Sequence, residues 1–238
     1  TQGKHARLID AGNNDKGTTV QLYLKKQGLT SLDYVIGTHP HEDHIGGLDD
    51  VINSDLKIEN LWMPKIQTNT KTFEDVLDAV KNKGLKVTAP NKGDSFEIGR
   101  AKCEVMTDSI LNKDNLNLSS IVIRLEFENN SFLFMGDAET ANEKTRTWMK
   151  TDVLKVGHHG SNTSSSEDFL KQINPTYAVI MAGKNNSYGL PKQKILDRLA
   201  KIGAKVYRTD EEGTIMMISN GNNIEVKCKV ELPNVLPD

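Results

Sequence analysis

Five of the six histidines in this 238-residue chain fall in two short clusters, His39-Pro40-His41-Glu42-Asp43-His44 and His158-His159. Imidazole nitrogens combined with carboxylate oxygens suit Zn2+, Mn2+ or Fe2+, and no thiolate is needed. His39 and His41 are two residues apart, which in an extended loop points both rings the same way. Asp43 and His44 add two donors that turn towards a second position. Asp137 ends the apolar run FLFMG, where a carboxylate must be paired, metal-bound or solvated. Read alone it is a turn or capping residue; beside the histidine clusters it reads as a bridging ligand. His158 and His159 end another apolar strand, so one can ligate a metal while the other donates a proton or holds a substrate oxyanion. Strand parity puts Lys155 on the side of Gly157 and His159, where it could bring positive charge to a phosphate or stand as a solvated strand lysine.

These clusters converge on a dinuclear hydrolase. Two metals about 3.5–4 Å apart can bridge a water, lower its pKa towards about 7 and neutralise charge on the attacked group. The candidate catalytic residues are Asp43, His158 and Lys155. No nucleophilic serine or cysteine is required: Ser161 lacks the G-x-S-x-G turn, and neither cysteine neighbours a histidine in sequence. There is no P-loop and no GxGxxG, which removes nucleoside triphosphate and dinucleotide readings.

The rest of the chain supplies the scaffold. Its composition, 37% hydrophobic and 26% charged, is that of a soluble globular protein. A formal charge of −2 gives no global basic footprint for duplex DNA or anionic lipid. No apolar run approaches the roughly 18–20 residues that span a membrane. Cys103 and Cys228 are too far apart in sequence for a zinc knot and too few for a disulfide framework. The chain begins at Thr1 with neither an initiator Met nor a signal-peptide pattern, as a processed or truncated product would, so a cytoplasmic and a secreted location both stay open.

Hydrophobic periodicity and turn residues predict strands at 6–12, 32–38, 58–64 and 85–90, and a hairpin over 95–107 turning near Gly99. Further strands are expected at 120–128, 131–138, 152–160, 176–183, 204–210, 213–219 and 223–230. In 120–128, Ile121, Ile123, Leu125 and Phe127 face one side, and Arg124, Glu126 and Glu128 the other. Helices are expected at 18–27, 45–52, 72–83 and 141–149. A capping box of Ser164 and Glu167 would start one ending near Ile173, and Pro191 at the first helical position would start another ending at 202. The first histidine cluster then sits just past a strand's C-terminal end, where open α/β sheets place their sites. The order is mixed, with hairpins followed by alternating strand and helix. That fits two sheets with helices outside them, in a single domain over 1–238.

The order H-x-H-x-D-H, strand-G-D, strand-H-H-G-S resembles the metallo-β-lactamase superfamily. More narrowly it is similar to the metallo-hydrolase domain of ComEC-type competence proteins and their stand-alone soluble relatives. The matching pieces are LIDAG (8–12), THPHEDHIGGLDDVI (38–52), SFLFMGDAE (131–139), DVLKVGHHGSNTSSSEDFL (152–170), NPTYAVIMAG (174–183), NSYGLPKQKILDRL (186–199) and VYRTDEEGTI (206–215). The resemblance implies an α/β (α+β) fold, a four-layer αββα sandwich with the metals at one edge. It implies two metal sites, zinc or manganese, and hydrolysis of phosphodiesters such as single-stranded DNA or a small diester. His39 and His41 would hold the first metal, Asp43, His44 and His159 the second, and Asp137 would bridge, with His158 facing substrate. No protein partner is evident.

Three departures stand out. No histidine lies between His44 and Asp137, where many members supply one to the first metal, so that site would be weak or completed by water or a residue near 114–117. Leu190 stands where relatives read Y-G-H-P. The upstream strand that usually precedes LIDAG is missing, so the fold should lack its first edge strand. The alternatives are a hydrolase of another bond, a lactone or β-lactam, and a catalytically weakened metal-binding domain that binds a partner.

Overall fold

In the computed structural model, which describes residues 1–229, three separate apolar cores account for the layering. The first core joins a four-stranded parallel sheet, in the order Arg7–Ile9, Tyr34–Ile36, Leu61–Trp62, Val87–Thr88, to the helices Gly17–Lys26, Leu48–Asn53 and Lys71–Asn82. The second joins a seven-stranded sheet to the helices Glu167–Ile173 and Gln193–Lys201. The third lies between the sheets, where Ile36 and Trp62 meet Phe96, Ile98, Cys103, Val105, Ile121 and Ile123. Helix, sheet, sheet, helix is the expected αββα sandwich. Tyr34 and Trp62 of the first sheet pack on Phe96 of the second at ring separations of 4.0 and 4.9 Å, contacts worth about 0.5–1.5 kcal/mol each beyond their burial. Arg7–Ile9 is the outer strand of its sheet among the described residues.

The seven-stranded sheet runs Lys205–Arg208, Tyr177–Ile180, Val153–Lys155, Asn130–Phe134, Ile123–Phe127, Ala101–Val105, Ser95–Ile98. Its first four strands are parallel and the remainder antiparallel. Asn130–Phe134 and Val153–Lys155 are parallel neighbours, with Phe134 opposite Lys155. The loops carrying Asp137 and His158-His159 therefore leave the sheet side by side. In the other sheet, Arg7–Ile9 and Tyr34–Ile36 pair in parallel with Ile9 opposite Ile36, so Asp10 and the first histidine cluster also emerge together.

Five local expectations need correction. The helix expected over 45–52 is two, Glu42–Ile45 and Leu48–Asn53, broken at Gly46-Gly47 where the backbone passes close to Ala11 and Gly17. The helix expected over 141–149 is only Thr140–Glu143. Beyond it the Trp148 indole donates to the Glu143 carbonyl at 2.6 Å, and the Asn142 amide to the Leu118 carbonyl, so tertiary bonds replace helical ones. Ser166, not Ser164, caps Glu167–Ile173, because the Ser164 hydroxyl is buried and donates to the Gly157 carbonyl at 2.7 Å. The last long helix starts at Gln193 rather than Pro191; the Lys192 amide is already bonded to the Gly160 carbonyl. Arg124, expected on an outer polar face, is buried and bonds Thr151 and Glu126 at 2.7 and 2.9 Å. Of the strand expected over 223–230, Ile224–Lys227 forms, and residue 230 lies outside the described residues.

Candidate metal centre

Asp137 is the point on which the two histidine clusters converge. Its side chain is buried, and among the described residues Oδ1 has no hydrogen-bond partner although it lies 3.2 Å from Nε2 of His44. Oδ2 lies 3.3 Å from Nε2 of His159, 3.8 Å from Nε2 of His158 and 4.0 Å from Nε2 of His39. Asp43, His44, Asp137 and His159 each turn one ligand-type atom into a space where all four lie within 4.8 Å of one another. Nε2 of His159 is 3.1 Å from Nε2 of His44 and 3.2 Å from Asp43 Oδ2. His39 and His41 stand beside this quartet with ring nitrogens 3.0 Å apart. Asp137 thus belongs to the quartet and also lies within 4.0 Å of the nearer histidine of the pair.

The local backbone explains this convergence. His41 is the extended residue before the helix Glu42–Ile45, so the chain turns sharply between His41 and His44. His158 and His159 both adopt left-handed conformations, φ 46° and 51°, which are costly for residues with a Cβ and are held here by the surrounding structure. The Ser164 hydroxyl on the Gly157 carbonyl and the His158 amide on the Gly136 carbonyl fix this turn. The two histidines consequently diverge. Nδ1 of His159 donates to the Met181 carbonyl at 2.6 Å, leaving Nε2 for the quartet. His158 instead sets Nδ1 against Thr163 Oγ1 at 3.0 Å and Glu139 Oε1 at 3.2 Å. Lys155 donates to the Gly136 carbonyl at 3.0 Å, with its ammonium 3.9 Å from Asp137 Oδ1.

The electrostatics follow from burial among unlike charges. Burial alone would lower the His44 pKa, but the carboxylates of Asp10 and Asp137 outweigh it and raise it to about 10. Burial lowers His39 to about 3, reinforced by the nearby His44. Burial pushes Asp43 and Asp137 upward, yet the surrounding imidazoles prevail: Asp43 falls to about 2 and Asp137 well below the usual carboxylate range. An acceptor-rich, desolvated cluster with an orphaned carboxylate oxygen fits a divalent cation, because a cation satisfies that oxygen and the imidazole nitrogens together.

Asp10 and the group around His158 are additions that the motif spacing did not assign. Asp10 accepts from the Thr38 amide, the Thr38 hydroxyl and Nδ1 of His44 at 2.8, 2.9 and 2.7 Å. It ends an apolar strand, the same signal that singled out Asp137. Glu139 accepts from Asn115 Nδ2 at 2.9 Å and from Asn117 Nδ2 at 3.4 Å. Asn117 also touches the His158 ring, and its Oδ1 is buried without a partner. That puts one of residues 114–117 beside the site. Leu190 is partly buried in the loop after Met181.

With this architecture and site, the chain belongs to the metallo-β-lactamase superfamily, whose family model matches residues 1–184. It is 36% identical over 197 residues to ComE operon protein 3 of Bacillus subtilis (strain 168), covering 81% of this chain and 25% of that protein. It is 28% identical over 227 residues to Recombination protein 2 of Haemophilus influenzae, covering 92% of this chain and 27% of that protein. The chain therefore spans about a quarter of the length of these curated relatives. Among solved structures, the metallo-β-lactamase fold protein YhfI from Bacillus subtilis matches with TM-score 0.55 at 12% identity, covering 87% of this chain and 85% of that one. That likeness is one of fold. No helix among the described residues is long and apolar enough to cross a membrane.

Proposed function

We propose that these residues act as one domain, a metal-dependent phosphodiesterase that cleaves a nucleic-acid strand. The observation that carries the hydrolase reading is the buried Asp137 carboxylate, unsatisfied at Oδ1 and set between the His39/His41 pair and the trio Asp43, His44 and His159. His39, His41 and Asp137 would hold one cation, and Asp43, His44, His159 and Asp137 a second, zinc or manganese by donor type. Bound there, such cations supply Lewis-acid stabilisation and make water a competent nucleophile near neutral pH. The relatives Recombination protein 2 of Haemophilus influenzae and Competence protein ComA of Neisseria gonorrhoeae support, by their names, a nucleic-acid substrate.

The chain's own groups have distinct tasks. Asp43, half exposed, faces the solvent side and takes the proton of the attacking water. His158, held at Nδ1 by Thr163 and Glu139, presents Nε2 to the site and protonates the departing oxygen. Lys155 contributes fixed positive charge beside Asp137, offsetting the charge that builds on phosphorus oxygens.

The test is hydrolysis of an aryl phosphodiester and of a labelled single strand by chelated protein, titrated with Mn2+ and Zn2+. Turnover should return with metal and fall at least about 100-fold in His41→Ala and Asp43→Ala. Full turnover in either variant would overturn the assignment. The absence of a histidine between His44 and Asp137 favours one second reading, a weakened metal-binding domain. A folded wild type that binds metal but turns over neither substrate would select it.

A further inference from the structure

The loop that follows the His159 anchor is tied to the metal-centre turn at both ends, yet it presents an aromatic ring to solvent. At its start the Met181 carbonyl accepts from Nδ1 of His159 at 2.6 Å. At its end the Lys192 amide donates to the Gly160 carbonyl at 3.0 Å, and Pro191 packs on Gly160 so closely that a Cβ there would lie 2.7 Å from the proline ring. Both anchors are therefore on the dipeptide His159-Gly160. Between them Asn186 braces the loop: its amide donates to the carbonyls of Gly183 and Leu190 at 2.9 and 2.7 Å, and its Oδ1 accepts from the Leu190 amide at 3.0 Å. The Lys192 ammonium donates to the Tyr188 carbonyl at 2.7 Å.

This braced loop holds Tyr188 77% exposed and Met181 50% exposed. A tethered backbone that holds an aromatic side chain in solvent is a preorganised platform. Tyr188 is four residues from the Gly160 anchor at Lys192, so it lies within about 14 Å of that anchor. The loop and the first turn of the helix that follows it are also basic. Residues 181–196 contain Lys184, Lys192 and Lys194 and no acidic residue. Lys184 and Lys194 are exposed. An exposed ring flanked by cations and no carboxylates complements a polyanion with flat faces.

We infer that the loop 181–192, with the first turn of the helix after it, is a single-strand binding arm of the metal centre, on which a nucleobase stacks against Tyr188 while Lys184 and Lys194 engage flanking phosphates. The inference rests on the nucleic-acid reading of the site, and it separates a strand substrate from a small diester, which has no base to stack. Base–aromatic stacking is tolerant of sequence, so the arm selects for unpaired strand rather than for a motif.

The experiment reads binding without hydrolysis. A short fluorescein-labelled oligothymidylate is titrated, by anisotropy, with the full chain in excess chelator. Tyr188→Ala should weaken binding by about 5- to 100-fold, and Tyr188→Trp should restore it. Ile218→Ala, which removes another exposed apolar side chain far along the chain, should bind as wild type. Lys184→Ala combined with Lys194→Ala should reduce the slope of log affinity against log salt by about 1.4, two phosphate contacts at roughly 0.7 each. Circular dichroism and melting of each variant confirm that it is folded. Unchanged affinity in folded Tyr188→Ala, or a folded wild type that does not bind the strand, overturns the inference. Because the binding assay needs no turnover, a failure of the phosphodiesterase reading shows separately, as binding without metal-dependent cleavage.

Discussion

The Asp10 carboxylate lies 2.7 Å from Nδ1 of His44, although 34 residues separate them. Asp10 is itself oriented by the Thr38 amide and hydroxyl. This contact fixes the tautomer of His44, so Nε2 is the nitrogen turned to Asp43, Asp137 and His159. Asp10 has φ 59°, a conformation that asparagine tolerates well. Asp10→Asn should therefore keep the fold, by circular dichroism, while weakening Mn2+ or Zn2+ binding about 10- to 100-fold by calorimetry. Undiminished affinity would remove Asp10 from the support of the site.

The same pairing makes cation affinity depend on pH. His44 is raised from its ordinary 6.5 to about 10, so in cation-free protein its proton is held through neutrality. Its interaction with Asp10 and Asp137 stabilises that form fully below about pH 6.5 and is lost as pH rises through about 10. The depressed Asp137 works in the opposite sense: it stabilises above the usual carboxylate range and its contribution is lost on acidification. A cation needs the Nε2 lone pair and must displace that proton. Apparent affinity should then climb by about tenfold per pH unit across neutrality. A competition titration with a chromophoric chelator at several pH values measures the slope, and a flat profile contradicts it.

Cation binding should also register as stability. At a free concentration 100 times the dissociation constant the gain is about 2.7 kcal/mol. For a domain of this size that raises the Tm by roughly 5–10 °C. Differential scanning calorimetry with and without chelator reads it directly. In Asp137→Asn the shift should largely disappear, and a shift of wild-type size there would mean the cation sits elsewhere.

Gly47 sets how closely the first cluster approaches the sheet edge. A Cβ at this position would meet the Ala11 carbonyl oxygen and the Gly17 nitrogen, each at 2.7 Å, and both are backbone. Gly47→Ala should cost about 1–3 kcal/mol in chemical denaturation. It should also lower cation affinity, because the helix carrying His44 must back away. A variant with wild-type stability and affinity would show that the two chain segments part without consequence.

The ligand-type residues were legible because their chemistry is dense in sequence: four donors in the six positions 39–44, and two adjacent histidines ending a strand. The helix Lys71–Asn82 was legible for a similar reason, from the stripe Phe73, Val76, Leu77 and Val80; all but Leu77, which stays exposed, enter one core. What escaped were groups recruited across the fold. Nothing near Asp10 in sequence says that it will meet His44, and the parallel register of Ile9 with Ile36 is what brings them together. On paper the spacing of Ser164 and Glu167 makes Ser164 the cap. The choice falls to Ser166 because Ser164 is engaged in holding the turn beneath His158. Arg124 reads as an outward charge until Thr151 arrives from another segment to satisfy it.

The quartet draws Asp43 and His44 from the segment that forms the first sheet and its helices, and Asp137 and His159 from the segment that forms the second. Neither segment alone presents more than half of it. The complete cage exists only once the two sheets have docked. A cation that binds there is a lock applied after closure rather than a seed for collapse. It should lengthen the lifetime of the folded state, slowing unfolding in stopped-flow jumps, and leave the rate of folding almost untouched.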